Sequence, residues 1–170
     1  MTIPAGEDPP VLVREATPAD LAAATDLVAA AGLPLAGLSE AALVLVAEAA
    51  GALVGTVALE RHGTGDGTAF LLRSAAVTPT WRGRGVGAAL AAAALAHVDA
   101  AGAPVALLTE TADGYFPRFG FAPADRDQLP AALADSAELQ GACPASARAL
   151  LRLPDSLAAS TTPVRGGDLP

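Results

Sequence analysis

The chain has 170 residues, of which 52% are hydrophobic, and it carries a formal net charge of −8. This length suits one domain with a core of its own, and the negative charge argues against nucleic acid or an anionic membrane as a partner. No apolar run approaches the roughly 18–20 uncharged residues of a membrane span. Residues 1–10 lack the pattern of a signal peptide, and the single cysteine, Cys143, cannot form an internal disulfide. The sequence therefore predicts a cytoplasmic protein.

The predicted domain occupies residues 11–153, between two segments that are predicted to be disordered. Residues 1–10 are rich in proline, glycine and acidic side chains, and residues 154–170 have a similar composition. Such segments hold too little apolar surface to offset the entropy that is lost on ordering. We therefore expect a single folded unit between two tails.

The predicted elements form an antiparallel meander followed by one β-α-β crossover. Thr17 and Pro18 mark the start of the first helix, because threonine caps helices and proline is tolerated at the first helical position. This order predicts a mixed α/β (α+β) fold, in which a mostly antiparallel sheet is flanked by helices. In chain order, the predicted elements are a strand at 11–14, a helix at 17–32, strands at 43–49, 53–61 and 69–77, a helix at 83–101, a strand at 105–109, a short helix at 113–119, a helix at 128–140 and a strand at 145–153.

A glycine-rich turn precedes the second long helix, with the sequence Arg82-Gly83-Arg84-Gly85-Val86-Gly87. Glycine permits positive φ and lets a ligand approach the backbone closely. The first N–H groups of a helix have no partner within the helix and lie at the positive end of its dipole. A phosphate group satisfies both conditions, and the two arginines would add charge-assisted hydrogen bonds. The turn is therefore predicted to bind an anion.

Other interpretations of this turn are weaker. A nucleotide P-loop is excluded, because no Gly-Lys-Ser/Thr follows the glycines. Gly83, Gly85 and Ala88 fit the spacing of a dinucleotide fingerprint, with Glu110 as a candidate ribose partner. That fold requires the glycines at the end of a strand, however, whereas a loop intervenes here and the preceding strands form a meander. A helix start with glycines for packing alone is the remaining alternative.

Two motifs resemble those of the GNAT acetyltransferases. The residues Arg82-x-x-Gly85-x-Gly87 match the Q/R-x-x-G-x-G/A pattern of that family, and Tyr115-Phe116-Pro117-Arg118-Phe119-Gly120-Phe121 is similar to its F-Y-x-x-x-G-F segment. The two motifs lie about thirty residues apart, as they do in the family. The resemblance implies a GNAT-like fold and an acetyl-CoA-dependent N-acetyltransferase without a metal, which transfers an acetyl group to a small-molecule amine. It leaves a monomer and a homodimer equally open.

A narrower resemblance covers more of the chain. Four segments look like the N-acetyltransferases of bacterial arsenic-resistance operons: Ala31-Gly32-Leu33-Pro34, Leu71-Leu72-Arg73-Ser74, Arg126-Asp127 and Cys143-Pro144-Ala145-Ser146-Ala147. This resemblance implies detoxification of a small toxic amine, such as an organoarsenical amino acid. One thiol binds arsenic weakly, so Cys143 is interpreted as a buried filler residue.

The GNAT resemblance also implies the cofactor-binding residues. Backbone groups of Ala76 and Val77, at the end of a strand, would pair with the pantetheine and polarise the thioester. Phe116 would contribute to the same site. The residues implied for the pyrophosphate are Arg82, Gly83, Arg84, Gly85, Val86, Gly87 and Ala88.

The family's general acid is a tyrosine four residues before the glycine of the second motif, and here that position is Phe116. Tyr115 precedes it and would point about 100° away on a helix. It is the chain's only tyrosine and is the candidate acid. Because phenylalanine stands where the family has its tyrosine, two alternatives remain. Either the thiolate leaves without help from an acid, or the chain is a non-catalytic acetyl-CoA-binding or regulatory module.

Polar residues near strand ends are candidates for the base and for substrate binding. Glu60, Glu110 and His62 are the candidate bases. The alternative for each glutamate is a solvated strand end, and His62 is interpreted as a turn residue. Arg73 and Ser74 are predicted to bind the substrate, because a charge flanked by apolar strand residues suits a carboxylate or an oxyanion. The alternative for Arg73 is an outward-facing side chain.

Overall fold

The computed structural model describes residues 8–155. Most of the two predicted disordered tails, residues 1–7 and 156–170, lies outside the described residues. Within residues 8–155, no helix combines the length and the apolar character that crossing a membrane requires. The described residues form one sheet with helices packed against it.

The centre of the fold is a seven-stranded mixed sheet. Its strands are β1 (Val11–Glu15), β2 (Leu43–Ala49), β3 (Ala52–His62), β4 (Ala69–Val77), β5 (Val105–Thr109), β6 (Ala122–Ala124) and β7 (Arg148–Arg152). They lie in the order β1-β2-β3-β4-β5-β7-β6. The first four strands pair antiparallel, β4 and β5 pair parallel, and β7 returns antiparallel to both β5 and β6. The predicted meander and crossover are confirmed.

Two α-helices cover the sheet, α1 (Leu21–Ala30) and α2 (Val86–Ala101). A 3-10 turn at Pro18–Asp20 leads into α1, as the proline predicted. Helix α2 packs against β2, β3 and β4, and its apolar face enters the main core. Gly55 of β3 makes this approach possible, since a Cβ atom there would lie 2.9 Å from Leu90 Cδ1. The alanine-rich α2 thus lies close to the strands that build the cavity described below.

Strands β4 and β5 diverge after a short parallel contact. Their register pairs only Phe70 with Val105 and Leu71 with Ala106. Further along β4, the register with β3 shifts by one residue, and Ser74 within this bulge has a positive φ of 56°. The separated ends of β4 and β5 leave an opening in the sheet, and the start of α2 lies beside it.

The predicted helix at 128–140 is wrong. This stretch contains a 3-10 helix, Ala131–Asp135, and a single π-helical turn, Glu138–Ala142, with Ser136 extended between them. The Ser136 hydroxyl donates to the buried Glu60 carboxylate at 3.1 Å. A tertiary hydrogen bond therefore overrides the helical preference of the alanines.

Other boundaries differ by smaller amounts. Helix α2 begins at Val86, because Gly83 and Gly85 take φ values of +75° and +83° and cannot continue a helix. The predicted helix at 113–119 is a 3-10 helix over Phe116–Phe119 only. Strand β6 was not predicted, and its three residues follow Phe121 directly.

Candidate active site

A cavity of about 980 Å³ occupies the opening between the ends of β4 and β5. The start of α2 closes one end, and the segments after α1 and around the π-helical turn close the other. We call these ends the glycine end and the buried polar end. The structure brings most predicted site residues to its wall: Arg73, Ser74, Ala76, Val77, Arg82, Gly83, Gly85, Val86, Gly87, Ala88, Glu110, Tyr115 and Phe116.

The glycine end is built mainly from backbone. Gly83 and Gly85 both have positive φ, and a Cβ atom on either would meet no atom within 4 Å. Both glycines line the cavity and are exposed, so a ligand can approach their backbone. Gly85 is also the residue that precedes α2, and the amide of Ala89 makes the first helical bond to its carbonyl. The N–H groups of the first helical turn are thus available to a ligand.

The two arginines of the turn have different positions. Arg82 lines the cavity, and its Nε donates to the Val77 carbonyl at 3.1 Å. Arg84 is not part of the cavity wall. Its guanidinium forms an ion pair with Asp8 and lies 5.1 Å from the centroid of the Trp81 ring. The structure therefore brings Arg82 to the glycine end and keeps Arg84 outside.

Tyr115 and Phe116 both line the cavity. A Cβ atom on Gly87 would lie 3.5 Å from the Tyr115 hydroxyl oxygen, which places that hydroxyl against the first turn of α2. The Arg118 guanidinium lies 4.2 Å from the centroid of the tyrosine ring. Phe116 is buried in the core. The expected rotation of Tyr115 away from the site is wrong, because the segment is not a regular α-helix and Tyr115 precedes its 3-10 turn.

At the buried polar end, Arg73 is surrounded by acceptors. Its side chain is fully buried, and it donates to the carbonyls of Ala36 at 2.7 Å and Pro34 at 3.0 Å. It also pairs with the carboxylates of Glu60 at 3.3 Å and Glu138 at 3.4 Å. Arg73 thus fixes the loop after α1 to the sheet. Since its partners are protein groups, a substrate carboxylate would have to compete with them.

Glu60 does not line this cavity. It contributes to a separate polar pocket of about 270 Å³, and three side chains bind its carboxylate: Arg73, Ser136 and His62. The His62 Nε2 lies 3.2 Å from Glu60 Oε1. The role of Glu60 as a base stays a prediction, and its position favours a structural part in the buried cluster.

Glu110 lies at the wall of the cavity just after β5 and is exposed to solvent. Ser146 donates a hydrogen bond of 2.9 Å to its Oε1. Ser74, at the bulge, also lines the cavity, and its hydroxyl accepts a bond of 3.2 Å from Arg73 Nε. The predicted base and the predicted substrate-binding serine therefore reach the same space.

Glu138, which is absent from the predicted site residues, lines the cavity and is only 3% exposed. Burial raises the pKa of its carboxyl, and the charge of Arg73 opposes that shift. Cys143 lies beside it, and burial together with the charge of Glu138 raises the pKa of the thiol to about 12. Cys143 is therefore protonated at neutral pH and is no nucleophile. No spacing pattern marks Glu138, since it stood within the helix wrongly predicted at 128–140. Within residues 8–155, no group of three or more metal-ligating side chains occurs.

Comparison with solved structures finds the same fold in several acetyltransferases. The N-acetylglutamate synthase from Neisseria gonorrhoeae, complexed with coenzyme A and N-acetyl-glutamate, is 22% identical with a TM-score of 0.70. The match covers 86% of this chain but 35% of the synthase, so the chain spans about a third of that protein. A Mycobacterium tuberculosis protein in complex with CoA is 24% identical over 84% of this chain and 98% of that one, with a TM-score of 0.67. At these identities the likeness concerns the fold.

Two further comparisons establish the family. A GNAT family acetyltransferase from Brucella melitensis, in complex with acetyl-CoA, is 30% identical with a TM-score of 0.56. This match covers 66% of the present chain and 83% of the Brucella chain. The family model of the acetyltransferase (GNAT) domain matches residues 40–123, which include both sequence motifs. The search of curated proteins found no match. On the strength of the fold, the glycine turn and these matches, the chain belongs to the GNAT family of N-acetyltransferases.

Proposed function

We propose that this protein transfers the acetyl group of acetyl-CoA to the amine of a small molecule. The observation that carries the proposal is one cavity of about 980 Å³, whose wall includes both the glycine end and the buried polar end. A two-substrate transfer needs both substrates in one continuous space, with their reacting atoms aligned. The cavity offers each substrate a chemically different end.

The glycine end fits the pyrophosphate of CoA. Gly83 and Gly85 leave open the space that a Cβ atom would fill, and the first turn of α2 offers its N–H groups beside it. Arg82 adds a positive charge at the wall. In this proposal the backbone of Ala76 and Val77 pairs with the pantetheine, and Phe116 packs against the cofactor. Bound acetyl-CoA supplies the activated acetyl group.

Tyr115 is the proposed proton donor. Its side chain lines the cavity, and its hydroxyl lies beside Gly87, on the side of the cofactor turn. The proposal requires the leaving sulfur to come within hydrogen-bond distance of this hydroxyl, which then gives its proton to the sulfur and recovers one from solvent. The position also argues against a non-catalytic module, for which the displaced tyrosine of the second motif was the main reason.

We further propose that the acceptor is a toxic amine and that the protein acts in resistance to arsenic compounds or amino-acid analogues. The support is where the narrower resemblance falls. Residues of three of its four segments line the cavity near Arg73, namely 31–34, 72–74 and the group 143, 144 and 147. In the fourth segment, Arg126 donates to the carbonyls of Pro144 and Ala147 and so holds the segment 143–147 in place. The segments that carry the narrower resemblance therefore cluster where the acceptor would bind.

The acetyl-transfer proposal is tested with a panel of small amines, in an assay that detects the free thiol of CoA. We expect turnover with at least one amine, and we expect calorimetry to detect CoA binding but no NAD binding. Absence of both turnover and CoA binding would reject the proposal.

The resistance proposal is tested by growth of an arsenic-sensitive bacterial host with an organoarsenical amino acid, and protection that needs an intact glycine turn would support it. We place the protein in the cytoplasm as a monomer or homodimer, which fractionation and light scattering would test.

A further inference from the structure

We propose that Glu138 binds the ammonium group of the acceptor and takes its proton, and is therefore the base of the transfer. This inference rests on the proposed function, because it assigns a residue to the acceptor side of the same reaction. Within the described residues, two carboxylates line the cavity, Glu110 and Glu138. They differ in burial, in partners and in charge environment.

Burial separates the two carboxylates. Glu110 is exposed to solvent and bonded by Ser146, whereas Glu138 is 3% exposed and sits deep in the wall beside Arg73. Interactions between charges strengthen as water is excluded. An ammonium group that reaches the buried polar end is therefore attracted more strongly by Glu138 than an ammonium in the solvent-exposed part is by Glu110.

The partners of the buried acids also differ. Glu60 is bonded by Arg73, Ser136 and His62, which occupy both of its oxygens. Glu138 has two partners: the neighbouring Cys143 thiol, and Arg73, whose Nε lies 3.4 Å from Oε1, longer than a good hydrogen bond. A carboxylate accepts hydrogen bonds at about four positions. Glu138 thus retains acceptor capacity that a substrate can use.

The charges of the cluster favour a cation. The groups that face Glu138 are Arg73 from β4, Glu60 from β3 and the protonated Cys143 from its own segment. With both acids ionised, one guanidinium balances one carboxylate and a second negative charge remains. A primary amine arrives mainly as an ammonium ion at neutral pH, and it supplies the missing positive charge.

The proton balance is complete without another reactant. The Glu138 carboxylate takes one proton from the ammonium nitrogen, whose lone pair then forms the bond to the acetyl carbon. The carbon–sulfur bond breaks, its electron pair stays on sulfur, and the second proton of that nitrogen neutralises the thiolate, directly or through Tyr115. Glu138 finally releases its proton to solvent. The raised pKa of Glu138 suits this exchange, since a base works best when its pKa is close to the operating pH.

The first test compares Glu138→Gln with Glu110→Gln and with Glu40→Gln, an exposed acid beside the smaller pocket. For the amine, kcat/KM is measured against pH, and CoA affinity is measured in the same series. We expect Glu138→Gln to lose about 10²-fold or more and the acid limb of its profile, with CoA affinity changed less than threefold. We expect Glu40→Gln to match the wild type and Glu110→Gln to keep the acid limb. An acid limb that survives in Glu138→Gln but disappears in Glu110→Gln would overturn the inference.

A second test needs no turnover. Carbon-13 NMR of the glutamate carboxyls, assigned by the signal missing in Glu138→Gln, follows this group against pH and during addition of butylamine without acetyl-CoA. We expect a pKa above the usual glutamate range and a shift on amine binding; a signal that ignores the amine overturns the inference. Glu138→Asp, which keeps the charge, serves if the glutamine variant unfolds, and it should retain an acid limb. Failure of the proposed function would show separately, as absent CoA binding in the wild type.

Discussion

The two ends of the cavity are built by different means. The glycine end uses mostly backbone from one short segment, residues 82–88 without Arg84, at the start of one helix. The buried polar end uses side chains from segments far apart in the chain, which Arg73 gathers through Pro34, Glu60 and Glu138. The first end therefore suits a cofactor common to a whole family, and the second can vary with the acceptor. The comparison predicts that changes at the glycine end remove binding and leave stability, while changes at the other end also cost stability.

The largest effect is expected from Gly87→Asp at the glycine end. Gly87 has ordinary φ, and a Cβ atom there makes only normal contacts, at 3.5 and 3.7 Å, so the variant should fold. Its carboxylate would oppose the pyrophosphate at short range, which costs about 4 kcal/mol, or about 10³-fold in CoA affinity. Calorimetry measures this loss. Gly67→Asp, the same change in an exposed turn outside the cavity, is the control and should bind CoA normally. Retained affinity in Gly87→Asp would mean that the pyrophosphate binds elsewhere.

At the buried polar end, Arg73→Met should lower the free energy of unfolding by about 3 kcal/mol, because two buried carboxylates would lose their cation. Urea denaturation measures the change. Arg148→Met removes an exposed ion pair with Asp113 and is the control, with an expected loss of less than about 1 kcal/mol. Equal losses in the two variants would show that Arg73 does not hold this end together. The comparison between the two ends would then fail.

Between the two ends, Tyr115→Phe should lower turnover by about 10²-fold, the usual scale for a lost acid–base group. CoA affinity should change less than threefold, because the ring and its contacts with Phe116 and Arg118 remain. Turnover measured against pH distinguishes a reaction in which Tyr115 is the acid from one in which the thiolate leaves without an acid. A drop below threefold would mean that the thiolate leaves without an acid, and the hydroxyl would then be a packing contact against Gly87.

The glycine end was predictable because its signal is local. Alternate glycines before a helix indicate a backbone conformation that suits an anion, and hydrophobic alternation indicated the meander and the crossover. The start of α2 was placed three residues too early, since positive φ at Gly83 and Gly85 delays the helix. Local rules thus indicated where α2 begins and were wrong by three residues.

The buried polar end was not predictable in the same way. Glu138 lies 65 residues beyond Arg73 in the sequence, yet their side chains are 3.4 Å apart. Its segment is rich in alanine and suggests a helix, but the hydrogen bond from Ser136 to Glu60 breaks that helix and brings Glu138 to the cavity. A periodic pattern carries no information about such a tertiary contact. Arg73 and Glu60 were therefore predicted as site residues from the sequence, but their membership of one buried cluster was not.

The smallest effects should come from the two arginines of the turn, which the sequence treated as equivalent. Arg82 lines the cavity, so Arg82→Ala should weaken CoA binding by about tenfold, the loss of one hydrogen bond to a charged group. Arg84 is paired with Asp8 and lies over Trp81, outside the cavity wall, so Arg84→Ala should change the affinity less than threefold. Both variants remove one positive charge from the same turn, and each therefore controls for the general electrostatic effect of the other. Calorimetry at two salt concentrations distinguishes the cases, because a direct contact with phosphate persists at higher salt better than a distant charge does. Equal losses would mean that the turn acts through its net charge and that the cavity wall does not decide which arginine binds.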